Sequence, residues 1–175
     1  MMAAQLHVLL DAMPTMPNEP TPVLVVIEES ELGVRTAAVG AALAARLRLP
    51  VVFQIAVGVE PIAVRPGAAL VEQTAQARQQ EQRRQRAAHW LGRAIEAARG
   101  RGAEASTVLT TDQAPLAAVL RIAQERSCAL IVVGSQGRGA LAKVFTSSLA
   151  SDLIQQSPVP VLVCRDDMAS TWLSP

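Results

Sequence analysis

Short apolar runs of strand length alternate with stretches of helical period along this chain, and that alternation constrains its fold more than any other feature. Residues 22–27 and 130–133 are apolar without polar alternation and carry β-branched side chains, which suits strands covered on both faces. Residues 50–57, 105–110 and 159–164 read as three more strands, the second of them weakly alternating. Helices fall between them. Val34, Ala37, Ala38, Ala41, Ala42 and Ala45 recur at helical spacing over residues 31–47, with Ser30 as N-cap and Glu29 and Glu31 near the positive end of the dipole. An alanine-rich helix is expected over residues 69–99, ended by Gly100-Arg-Gly102. Asp112 and Pro115 signal entry to another that runs to Arg126, with Leu116, Val119, Leu120 and Ala123 on one face. A last helix is expected over residues 148–155. Strand and helix in strict turn predict an α/β fold: one doubly wound parallel sheet with right-handed crossovers and helices on both faces. Ligands of such sheets lie beyond the carboxyl ends of the strands.

At 175 residues the chain suits one domain, expected over residues 22–165. Residues 1–21 read as a flexible extension: no basic n-region precedes Leu6, Val8, Leu9 and Leu10, and Pro14, Pro17 and Pro20 follow. Residues 166–175 read as a tail that contains Trp172. Half of the residues are hydrophobic, aromatics are only 2% and Tyr is absent, which argues against an aromatic base-stacking surface for nucleic acid. A net charge of +1 gives no global attraction to nucleic acid or an anionic membrane, and no apolar run reaches the ~20 residues of a membrane span. Cys128 and Cys164 lie in apolar runs and read as buried, reduced thiols, as in a cytoplasmic protein. With His7 and His89 isolated, no metal set assembles from soft or imidazole ligands.

Two local features carry chemistry or could be mistaken for it. The helix over 69–99 is locally basic through Arg78, Arg83, Arg84, Arg86 and Arg93, but Glu72, Glu81 and Glu96 are interleaved. A solvated face is the reading favoured over an acidic-partner patch, and the half from Glu72 to Gln85 should stand exposed. The second feature is Ala129-Leu-Ile-Val-Val-Gly134-Ser-Gln-Gly137-Arg-Gly139, continuing to Ser147 and Ser148. It reads as a buried strand, a glycine-punctuated loop and a helix start. Glycines allow positive φ and close approach of a ligand. Unpaired N–H groups at the helix start, the dipole and the serine hydroxyls favour an anion, so phosphate is the expected ligand group.

Other phosphate and nucleophile signatures are missing. The glycines after residue 133 have the wrong spacing for a dinucleotide fingerprint and do not follow the first strand. Lys143 follows no glycine in the register of a Walker loop. Neither Ser135 nor Ser148 sits in a nucleophile elbow. Loop carboxylates able to hold Mg²⁺ are few: Glu28, Glu29 and Asp112. The chain reads as a binder, not an enzyme, with slow hydrolysis of ATP at most, since no residue offers a convincing general base.

Gly134-x-x-Gly137, nine residues, a small residue and then Ser148 resembles the nucleotide-binding signature of the universal stress protein family, with Ser147 where the third glycine belongs. The ending Ser157-Pro-Val-Pro160-Val-Leu-Val-Cys164-Arg165 is similar to that family's proline-bounded last strand. The resemblance implies an adenine nucleotide α-hydrolase-like fold with strand order 3-2-1-4-5, which places Glu28 and Gly134 on one crevice. It implies that ATP or AMP, with or without Mg²⁺, binds along Gly134, Gln136, Gly137, Ser147 and Ser148, with adenine near Ala56 and beside Val133. Glu28 takes the place of the family's nucleoside-contacting aspartate, one methylene longer. Ser147 adds a β-carbon and a donor where the family has glycine, and Ala150 stands where a further hydroxyl is common. The alternative is a protein of the same fold that binds no nucleotide and acts through protein partners. An enzyme of the wider superfamily is disfavoured, because Glu28-Glu-Ser replaces the Ser-Gly-Gly-x-Asp-Ser loop. The resemblance also implies a homodimer through the last strand, from Val159 to Cys164, whose apolar edge calls for a partner.

Overall fold

Val23, Leu24 and Val25 have no exposed surface, because the short strand they form is the middle of the sheet. The computed structural model describes residues 21–58, 70–112, 114–135 and 146–165. The expected extension, the loop after Gly58, Gln136, Gly137 and Trp172 lie outside the described residues. The described elements are β1 (Val23–Val26), α1 (Glu31–Leu47), β2 (Val51–Gly58), α2 (Leu70–Ala98), β3 (Ala105–Asp112), α3 (Pro115–Glu125), β4 (Leu130–Ser135), α4 (Thr146–Gln156) and β5 (Val161–Arg165). The strands form one sheet in the order β3-β2-β1-β4-β5, and every neighbouring pair is parallel. This is the order the resemblance implies.

Alternate residues of each strand feed two separate cores, as a sheet covered on both faces requires. Val23, Val25, Phe53, Ile55 and Val132 pack with Ala37, Ala41 and Ala44 of α1 and Ala87, Leu91 and Ala94 of α2. Leu24, Val26, Val52, Ile131 and Val133 pack with Val119, Ile122 and Ala123 of α3 and Ala150 and Leu153 of α4. Both cysteines are free and buried, one in each core, and burial pushes the Cys128 thiol up to about 11.

The caps follow from local chemistry. Ser30 has extended backbone and its Oγ accepts from Gly33 N at 3.2 Å, which satisfies one of the donors left open at the start of α1. Gly100 and Gly102 take φ of 76° and 77° after α2, a conformation that a β-carbon disfavours. The polar half of α2 is exposed from Thr74 to Glu81, as its sequence predicts. Its other half is tied to α1 by Arg93, which donates from Nη1 to Glu31 Oε1 and from Nη2 to Glu31 Oε2.

Strand ends depart from the periodicity for identifiable reasons. β3 continues through Thr111 and Asp112 because these pair with Val57 and Gly58 of β2. β4 continues through Gly134 and Ser135, which pair with Cys164 and Arg165. β5 starts two residues later than expected. Ser157 Oγ donates to Val159 O at 2.7 Å and accepts from Val159 N at 3.2 Å, so Val159 is held in a turn between two prolines. The helix expected from Ser148 begins at Thr146.

Candidate functional site

The strand order makes β1 and β4 neighbours at the centre of the sheet, and the chain leaves them in opposite directions: β1 into α1 on one face, β4 toward α4 on the other. That divergence is the topological switch point at which a doubly wound sheet opens a crevice. Glu28 follows β1 directly. It is half-buried, and desolvation holds its carboxyl above the usual range. Gly33 fixes the close approach of α1 to this turn: a β-carbon there would lie 2.1 Å from Glu28 O.

Val26 pairs with Gln54 on one side and with Val133 on the other, so the three form one row across β2, β1 and β4. Val26 and Val133 belong to the core under α3 and α4, which places the row on that face. Ala56, two residues along β2 from Gln54, shares the face and is partly exposed. The row is buried in that core, with one polar side chain in it, and Ala56 is its partly exposed neighbour toward the carboxyl end of β2.

Gly134 is the next residue of β4 beyond that row, with its bare Cα turned to the opposite face: a β-carbon would lie 2.7 Å from Thr36 Oγ1 and 3.4 Å from Leu32 Cγ. The backbone carries Ser147 and Ser148 in the first turn of α4, where N–H groups have no partner within the helix. Glu28, Ala56, Val133 and Gly134 are thus brought to one end of three adjacent strands. Gln136 and Gly137 belong to the stretch outside the described residues.

Sequence reasoning treated Gln54 as one residue of an apolar strand and missed its setting. Gln54 is wholly buried, and its Nε2 donates to Thr110 Oγ1 at 3.1 Å. Thr110 Oγ1 in turn donates to Ile55 O at 3.5 Å. Gln54 Oε1 is buried without a hydrogen-bond partner among the described residues. A lone amide in a run of Val, Phe, Ile and Ala was the available signal. No trio of His, Cys, Asp or Glu able to hold a metal occurs among the described residues, and no described helix is long and apolar enough to cross a membrane.

A model of the universal stress protein family matches residues 20–165. The fold is similar to the universal stress protein UspA from Lactobacillus plantarum, with a TM-score of 0.62 at 19% identity, covering 84% of this chain and 99% of that one. It is also similar to a universal stress protein in complex with cAMP, with a TM-score of 0.57 at 20% identity, covering 85% and 98%. A third structure, the universal stress protein from Archaeoglobus fulgidus in complex with dAMP, gives a TM-score of 0.55 at 21% identity, covering 82% and 96%. No curated protein sequence matches this chain.

Proposed function

The chain belongs to the universal stress protein family, and from that premise we propose that it is a regulatory protein of the cytoplasm that binds an adenine nucleotide, AMP or ATP, in the crevice between β1 and β4. The observation that carries this reading is the juxtaposition of Glu28, Ala56 and Val133 at the carboxyl ends of three adjacent parallel strands, with the glycine loop leading from β4 into α4. Two relatives of this fold are bound to cAMP and dAMP, which supports a nucleotide as the ligand class.

In this reading the phosphates lie along Gly134, Gln136, Gly137, Ser147 and Ser148. The N–H groups of Gly137 and Ser148 and the Ser148 hydroxyl donate to phosphate oxygens, and the positive end of the α4 dipole adds to them. Glu28 accepts from the ribose hydroxyls. Adenine lies over Ala56 beside Val133. Mg²⁺ accompanies ATP by way of the phosphates. Among the described residues none offers a convincing general base, so the site binds and at most hydrolyses ATP slowly. The protein acts as a homodimer through β5. That strand is at the edge of the sheet with Leu162 39% exposed, an apolar edge that a second copy would cover.

Calorimetric titration of ligand-free protein with AMP, ADP and ATP, with and without Mg²⁺, tests the reading. Micromolar binding that falls at least tenfold in Ser148→Ala and in Gly137→Val is expected, about what the loss of one or two charge-assisted hydrogen bonds costs. Folded protein that gives no heat with any nucleotide would overturn it and leave protein partners as the ligands.

A further inference from the structure

We propose that Gln54 is the residue that reads the base in this crevice, selecting adenine by its amino group; the inference rests on the nucleotide reading above. Gln54 stands in the row Gln54, Val26, Val133, and its two neighbours in that row are apolar and buried. A wholly buried amide in such apolar surroundings is costly unless both its ends are paired. One end is paired. Gln54 Nε2 donates to Thr110 Oγ1 at 3.1 Å, and Thr110 Oγ1 in turn donates toward Ile55 O at 3.5 Å. The other end, Oε1, has no hydrogen-bond partner among the described residues.

An acceptor held in this way calls for an N–H donor. Gln54 precedes Ala56 by two residues on the same face of β2, and Ala56 is partly exposed. A base that slides over Ala56 brings its edge to the Gln54 amide. Adenine presents there an amino group, which donates to Oε1, next to a ring nitrogen, which accepts the second Nε2–H. This is the two-point pairing by which glutamine selects adenine elsewhere. Hypoxanthine, with a carbonyl in place of the amino group, would set oxygen against oxygen. A polar group built to pair with one substituent rejects an analogue that lacks it. Leu at position 54 would fill the same space with no such preference.

Titration of the full chain with AMP and with IMP, in the wild type and in Gln54→Leu, tests the inference. The wild type is expected to prefer AMP by about tenfold or more, and Gln54→Leu to bring the two affinities within about twofold of each other. Ser148→Ala should weaken both ligands in parallel, which separates phosphate binding from base reading. If the wild type binds AMP and IMP alike, or if Gln54→Leu keeps the preference, Gln54 is a structural partner of Thr110 alone and the inference falls while the nucleotide reading stands. If the wild type binds neither, both fall. Should Gln54→Leu not fold, Gln54→Met, which keeps length and flexibility without the amide, gives the same comparison.

Discussion

Gly134 and Thr36 approach so closely that a β-carbon on residue 134 would come within 2.7 Å of Thr36 Oγ1. The first glycine of the loop signature is therefore required by the packing of α1 on β4, whatever the crevice holds. Gly134→Ala is expected to destabilise the protein by about 1–3 kcal/mol, the usual range for overpacking a core. Thr36 is itself buried, and its Oγ1 has no hydrogen-bond partner among the described residues. Thr36→Ala removes the clashing atom, so the double variant should recover part of the loss. Chemical denaturation of the four proteins of this cycle measures the coupling, expected between about 0.5 and 3 kcal/mol. Additive losses would show that strain at Gly134 lies elsewhere.

The helical glycines Gly40 and Gly92 should respond in opposite ways to alanine. A β-carbon on Gly40 would lie 2.4 Å from Val25 Cγ2, in the core between α1 and β1, whereas one on Gly92 of α2 meets nothing within 4 Å. Gly92→Ala is expected to raise stability by about 0.5–1 kcal/mol through backbone entropy and helix propensity. Gly40→Ala is expected to lower it by about 1–3 kcal/mol. Midpoints of thermal unfolding for the two variants check both signs.

The parts of the fold legible in the sequence were those set by local rules. The apolar run Val23 to Val26, the cap at Ser30 and the terminator Gly100-Arg-Gly102 each declare themselves within a few residues. Strand order is not local, and no periodicity in β4 says that Val133 will lie beside Val26. That came from the resemblance carried by Gly134, Gly137 and Ser148. Strand ends were misplaced where pairing outweighed composition: Thr111 and Asp112 look like a loop but hydrogen-bond along β2. Gln54 and Thr36 were missed for the same reason. What matters about each is a neighbour 56 residues away in one case and the bare Cα of Gly134 in the other.

Glu31 and Arg93 join the first turn of α1 to the well-packed half of α2 through two parallel hydrogen bonds, with the guanidinium 5.2 Å from the centroid of the Trp90 ring. The hydrogen bonds from Arg93 hold the Glu31 carboxyl below the usual range. A depressed carboxylate contributes stability that is present above its unfolded value and is lost as pH falls through the folded one. Arg93→Gln is therefore expected to move the Glu31 midpoint up toward an ordinary glutamate, as read by carboxyl NMR titration. The pair is solvent-exposed, so high salt should move the wild-type midpoint the same way. A midpoint unaffected by Arg93→Gln would show that the bridge is not formed in solution.

Glu28 carries the opposite sign, and its position in the crevice makes that sign useful. Desolvation raises its carboxyl above the ordinary glutamate value, so the folded protein binds this proton more tightly than the unfolded chain does. Stability from this group is then present at acid pH and is lost as pH rises from the unfolded value through the folded one. Glu28→Gln, which keeps size and an acceptor oxygen, is expected to raise the melting temperature at pH 7 and to have no effect at pH 3.5, where both forms are neutral. Melting curves of the two proteins across that range give the difference directly. A gain at pH 7 that persists at pH 3.5 would come from packing and not from the charge. An ionised Glu28 stabilised by ligand hydroxyls would offset the same desolvation, so saturating nucleotide should shrink the difference between the two proteins at pH 7.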